Sequence, residues 1–211
     1  MMRHLDLGSV EGFMKTPKDQ HYDELLILKT IAETLNQSND MEQMLQKTLM
    51  KLLELTQMQT GWIFLLQKES VYELSADHRL PPALSRDDKN PMRCSDCLCQ
   101  RLYVTGGLNQ AVTIIECERL YNAITQCTGE THNLTHHATT PITVRGERLG
   151  LLNVGSPGKE HFSKEELTLL ESVAYQLGTA IERVRLYEQK EKQAVDDISR
   201  FIINYYTIGT K

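Results

Sequence analysis

The sequence is short of the residues that keep a chain open, with 12 Gly and 6 Pro among 211 residues. That composition excludes the disordered and low-complexity classes. No apolar run is long enough to span a membrane. The opening MMRHLDLGSVEGFMK has no apolar h-region and does not read as a signal peptide. Positive charge is not in excess: 23 Lys and Arg stand against 28 Asp and Glu, a net charge of -5, which leaves no basic footprint for nucleic acid or an anionic lipid surface. Also missing are G-x-S-x-G, a P-loop and H-E-x-x-H, and Gly106-Gly107 reads as a turn rather than a phosphate cradle. These absences predict a cytoplasmic globular chain that is not an enzyme and binds neither nucleic acid nor membrane. Its length allows one good core, or one core with helical extensions.

What the sequence does have is five cysteines. In a reducing compartment, clustered cysteines point to metal or redox chemistry more often than to structural disulfides. Cys94, Cys97 and Cys99 fall within six residues, and Cys117 follows after seventeen intervening residues. One loop can therefore aim three sulphurs at a common centre, with Cys117 completing a four-thiolate shell. Such a shell suits zinc, with all four at one atom, or a [2Fe-2S] cluster, with two per iron. A thiol switch, or unliganded cysteines packed as small hydrophobes beside Leu98 and Leu102, uses the same residues. Cys127, in the polar stretch ITQCTGETHN, reads as a loop thiol outside the set. His132, His136 and His137 crowd before a strand and offer imidazole in place of a thiolate. Strand alternation turns His136 and His137 to opposite faces, so one of them looks inward. Arg93, Arg101 and Arg119 flank the thiols, either stabilising thiolates by proximity or standing as solvated charges.

Periodicity orders the rest. Residues 1–20 are polar and irregular, and a helix begins near His21, with Leu25, Leu28, Ile31, Ala32 and Leu35 at helical steps. Asn39 or Asp40 caps a second helix whose Met41, Met44, Leu45, Thr48, Leu49 and Leu52 form a core stripe. TGWIFLLQ and SVYELSAD read as a strand pair. After Asp77 the paired prolines of RLPPALSRDDKNPM predict an irregular stretch leading into the cysteines. HHATTPITV and RLGLLNVGS form a hairpin about Arg145-Gly146-Glu147. Ser163 and Glu166 then open a long helix in capping-box spacing. Along it Leu170, Leu177 and Val184, with Val173, Ala180 and Tyr187, repeat every seven residues. That repeat reads either as a dimerising coiled-coil seam or as an amphipathic core face. The ending FIINYYTIGTK is β-prone and unlike a coiled-coil continuation.

This order of elements, and in particular HHATTPITVRGERLGLLNVGSP followed by FSKEELTLLESVAYQLGTAIERVRLYE, resembles a GAF domain of a bacterial sensor histidine kinase. The resemblance covers roughly residues 22 to 190. It implies an α+β fold, with a central antiparallel sheet flanked by helices and a long C-terminal signalling helix. The domain plan is then an irregular segment at 1–20, a sensor domain at 21–190 and a tail at 191–211. RCSDCLCQRLYVTGGLNQAVTIIECERL further resembles a subset with recurring C-x-C-Q and E-C-x-R-L segments, associated with iron-sulphur redox sensing. For this chain the resemblance implies Cys94, Cys97, Cys99 and Cys117 as ligands of a [2Fe-2S] cluster, with redox or oxygen as the signal. Zinc, or a small organic ligand lined by unliganded cysteines, is the other reading. The resemblance also implies a homodimer paired through terminal helices, and a kinase core or response regulator as downstream partner. The phosphoacceptor segment and ATP-binding boxes of such kinases do not follow Tyr187. The chain is accordingly read as a stand-alone sensor, a truncated product or a fragment. The N-K-x(n)-F-x3-D-E set of cyclic-nucleotide GAF domains and the Asp-Ile-Pro element of bilin-binding ones have no full counterpart.

Overall fold

A computed structural model describes residues 17–67, 72–93, 97–114 and 117–208. The chain opens with helices α1 (Pro17–Leu35) and α2 (Met41–Thr56). Asp40 caps α2, its carboxylate accepting the Gln43 backbone N–H at 2.8 Å. The α2 stripe Met44, Leu45, Thr48, Leu49, Leu52 and Leu53 is buried, so the Met-rich face is core. Gln57, at φ 58, then ends the helix in the left-handed region.

Strands β1 (Thr60–Leu66) and β2 (Tyr72–His78) form the expected first pair. The second pair is β4 (His137–Val144) and β5 (Glu147–Gly155). They are joined by the two-residue turn Arg145-Gly146, whose φ values of 48 and 83 suit the right-handed twist of a hairpin. With β3 (Val112–Ile114) they make a fully antiparallel sheet of order β2-β1-β5-β4-β3.

Period-two alternation gives this sheet two apolar faces. Ile63, Leu65, Ala138, Ile142, Leu152 and Val154 face a core shared with α1, α2 and the long helix α6 (Lys164–Ile208). Trp62, Phe64 and Leu151 face a second cluster, built with the cysteine-bearing segment. Ser163 and Glu166 form the expected capping box: the Ser163 N–H donates to the Glu166 carboxylate at 2.8 Å, and the Glu166 N–H donates to Ser163 Oγ at 3.2 Å.

Several expectations are corrected. The stretch after Asp77 is not irregular throughout. Pro82 starts a helical turn, the chain leaves helical geometry over Arg86 to Lys89, and a second turn follows, together forming α3 (Pro82–Arg93). Both turns accept their prolines near the start, where no N–H is required. The insert carries two further helices, α4 (Leu98–Val104) and α5 (Glu118–Thr125). Of the heptad positions, Leu170, Val173, Leu177, Ala180 and Val184 are buried in the core shared with the sheet, α1 and α2, which is the core-face reading of the repeat, while Tyr187 is exposed. Finally, α6 runs 45 residues to Ile208, so the described part of the β-prone ending is helical. At the other end α1 begins at Pro17, four residues before His21. Among the described residues no helix is long and apolar enough to cross a membrane.

Candidate functional site

The site is the layer between the sheet and α3 to α5. Cys97 is the residue before α4, and Cys99 lies in its first turn. Cys117 holds the corresponding position before α5. All three are buried in one apolar cluster with Trp62, Phe64, Tyr72, Met92 and Tyr103. Cys94 lies outside the described residues. Cys127 is exposed, at φ 51 in the turn after α5.

Cys97 Sγ and Cys99 Sγ are 3.0 Å apart and share a hydrogen bond. Arg119 reaches them from α5, its Nη1 donating to Cys97 Sγ at 3.0 Å and its Nε to the Pro91 carbonyl at 2.9 Å. The guanidinium also stacks over the Phe64 ring, 5.1 Å from its centroid. The hydrogen bond from Cys99, helped by the Arg119 charge, holds the Cys97 thiol down at about 6, against the pull of burial. Cys99 moves the other way, because it gives that hydrogen bond and is itself buried. Burial likewise pushes Cys117 up. Of the two, Cys97 is the sulphur whose surroundings favour the thiolate. Of the other two arginines, Arg93 pairs with Asp88 and Arg101 with Glu118, both at the surface.

The histidines divide between surface and core, and His136 lies just before β4 rather than in it. His136 is half-buried and bonded to Thr135 Oγ1, His132 is exposed beside Glu130, and His137 is fully buried. The tautomer of His137 follows from a relay. Asn153 Nδ2 donates to the Trp62 carbonyl at 3.4 Å, so Asn153 Oδ1 faces Thr139 and accepts its hydroxyl proton at 2.8 Å. Thr139 Oγ1 then has only lone pairs for His137 Nδ1, 3.0 Å away, and Nδ1 carries the proton. Burial holds the imidazole down at about 3, so it is neutral and Nε2 presents a bare lone pair. Among the described residues, His137 Nε2, Trp62 Nε1, the Tyr72 hydroxyl and Gln100 Oε1 are buried without hydrogen-bond partners. The Trp62 and His137 rings meet edge-on at 5.0 Å.

Cysteine spacing led to the thiols but not to this polar lining. Its one visible signal is Asn153, a polar side chain in the apolar strand LLNVG. Among the described residues no three His, Cys, Asp or Glu side chains converge as a metal site.

A family model for the GAF domain matches residues 38–182, well over half of the chain. The chain belongs to the GAF domain family. Solved GAF domains share its fold. One is from a phosphoenolpyruvate-protein phosphotransferase of Coxiella burnetii, with TM-score 0.63 and 20% identity, covering 80% of this chain and 98% of that one. Another is from a putative sensor histidine kinase of Pseudomonas syringae pv. tomato, with TM-score 0.57 and 17% identity, covering 83% and 96%. Over 173 residues, 82% of its length, this GAF chain is 48% identical to the sensor histidine kinase YhcY of Bacillus subtilis (strain 168). The aligned stretch spans 46% of that relative, less than half its length.

Proposed function

We propose that this GAF chain is the signal-sensing part of a two-component sensor of the histidine-kinase type, and that it senses redox state or oxygen through its buried cysteines. The observation that carries this reading is the Arg119-held pair of Cys97 and Cys99, their sulphurs 3.0 Å apart in the layer between the sheet and α3 to α5. The sensor centre is a [2Fe-2S] cluster held by Cys94, Cys97, Cys99 and Cys117. The donors fit in type, since buried thiols with an N–H···S bond to one of them suit iron-sulphur ligation. The orphaned Trp62 N–H and Tyr72 O–H give the same layer two buried donors for a polar group. Among the described residues Cys97 and Cys99 converge as a pair, and Cys117 and Cys94 would have to join them to complete the set. When bound, the cluster supplies one-electron redox chemistry. The chain's own residues exclude water, keep Cys97 ionised and fix the orientation of α4.

Signal output runs through α6 in a homodimer. The heptad face of α6 is spent on the core as far as Val184, so the pairing surface is formed by exposed apolar residues. These are Tyr22, Leu25 and Leu26 on α1, and Tyr175, Leu186, Val195, Ile198 and Ile202 on α6. A kinase core or response regulator is the downstream partner.

Anaerobic purification with visible spectra and iron and sulphide analysis tests the centre. Charge-transfer bands with stoichiometric iron and sulphide are expected. Cys117→Ser should abolish them, and Cys127→Ser should leave them unchanged. A colourless, iron-free protein that cannot be reconstituted would refute the cluster, and stoichiometric zinc would replace it with a structural site.

A further inference from the structure

The reading above leaves open how a change at the cysteines reaches α6. Tyr103 lies one helical turn after Cys99, so both occupy the same face of α4. It is almost fully buried, and its hydroxyl does not end in the apolar cluster. It accepts the Gly150 backbone N–H at 3.0 Å and donates to the Ile142 carbonyl at 3.3 Å. Ile142 and Gly150 are register partners on β4 and β5, and the ladder shifts register between Ile142 and Thr143. The phenol thus takes a place in the strand ladder at the point where the bulge opens it. Arg148 of β5 secures the same residue, bonding the Tyr103 carbonyl and lying 5.5 Å over its ring.

On the opposite face of the sheet the next residue, Thr143, is the seat of α6. Gly178 packs so closely that a Cβ there would run into the Thr143 carbonyl oxygen. The helix that carries Cys99 and the signalling helix therefore meet at one two-residue bulge, one from each face.

We infer that Tyr103 is the positioning residue that couples the cysteine-bearing helix α4 to α6 through the β4 bulge. The inference rests on the reading of α4 as the sensing end, but it concerns the apoprotein and does not require a particular centre. When α4 shifts, the Tyr103 hydroxyl pulls on Ile142 and Gly150, the Thr143 carbonyl moves, and the glycine seat of α6 moves with it. A second tie, the Ala111 N–H to Glu171 Oε1 at 2.7 Å, also reaches α6. It lies beyond the Gly106-Gly107 turn from α4 and does not involve the Tyr103 hydroxyl, so it serves as the control.

The test is a double-mutant cycle on the full metal-free chain, read as amide hydrogen exchange of α6 over residues 170–185. Cys97→Ala with Cys99→Ala should speed exchange there about threefold in the otherwise unchanged chain, and leave it unchanged in the Tyr103→Phe background. Glu171→Ala should preserve the threefold response. Equal responses with and without the Tyr103 hydroxyl, or loss of the response in Glu171→Ala instead, would overturn the inference. Coupling is reciprocal, so Gly178→Ala should change exchange in α4 over residues 98–104 about twofold. That arm holds even where Tyr103→Phe folds poorly, and no change in α4 would count against the proposal. Visible spectra of the anaerobic protein report on the centre independently, so its failure and the failure of this coupling are separate results.

Discussion

His137 shows how a single side chain is fixed by its neighbours. The Trp62 carbonyl orients Asn153, Asn153 takes the Thr139 proton, and Thr139 takes the proton on His137 Nδ1. With the imidazole held near 3 in the folded chain and about 6.5 when unfolded, the unfolded state binds one more proton between those values. Stability therefore carries no His137 penalty above about pH 6.5. It falls by about 1.4 kcal/mol per pH unit as the pH drops from about 6.5 toward about 3. Urea unfolding at pH 7, 5.5 and 4.5 should show this slope, and His137→Gln should flatten it by about that amount. Equal slopes in the two proteins would mean that His137 is not held neutral by the fold. A nitrogen NMR spectrum should also show the proton on Nδ1 at pH 7; a proton on Nε2 would break the relay.

At the scale of elements, the parts legible in the sequence are those set by local rules. The Asp40 cap, the Ser163-Glu166 box, the Arg145-Gly146 turn and the α2 stripe each depend on residues within one or two turns of one another. What could not be read was set by distant partners. The seven-residue repeat of α6 suits a coiled coil and a core-packed helix equally, and only the presence of β4 and α1 beneath it decides for the core. The three arginines beside the cysteines look alike in sequence. Arg119 alone among them is carried by α5 to Cys97 and the Pro91 carbonyl. Likewise Gly150 reads as an ordinary strand residue, yet a Cβ there would strike the Phe64 carbonyl oxygen on β1. Gly150→Ala must therefore push β5 from β1, at a cost of about 2 to 4 kcal/mol. Removing the cap of α6 by Ser163→Ala should cost only about 1 kcal/mol. Chemical denaturation of both variants checks the order, and a harmless Gly150→Ala would show that the β1–β5 contact relaxes freely.

For the whole molecule, the decisive fact is how far α6 outruns its own core. Through residue 202 the buried positions on it end at Val184, yet the helix continues to Ile208. A solvated stretch of that length gains little from propensity alone, and isolated helices near this size are marginal in water. Val195, Ile198 and Ile202 follow one another at three- and four-residue steps, and all three are exposed. One face of the overhang is thus apolar, and in the homodimer proposed above a second copy of the same helix would cover it. The full chain should then run as a dimer in light scattering, with helix content that falls on dilution as the overhang loses its partner. Ile198→Glu places a charge in the middle of that face. It should yield a monomer whose far-ultraviolet signal is reduced by the equivalent of the distal turns, while the melting of the sheet and of the cysteine layer stays unchanged. A wild-type monomer with undiminished helix content at low micromolar concentration would show that the overhang is stable alone, and that the apolar face serves something other than a second copy of this chain.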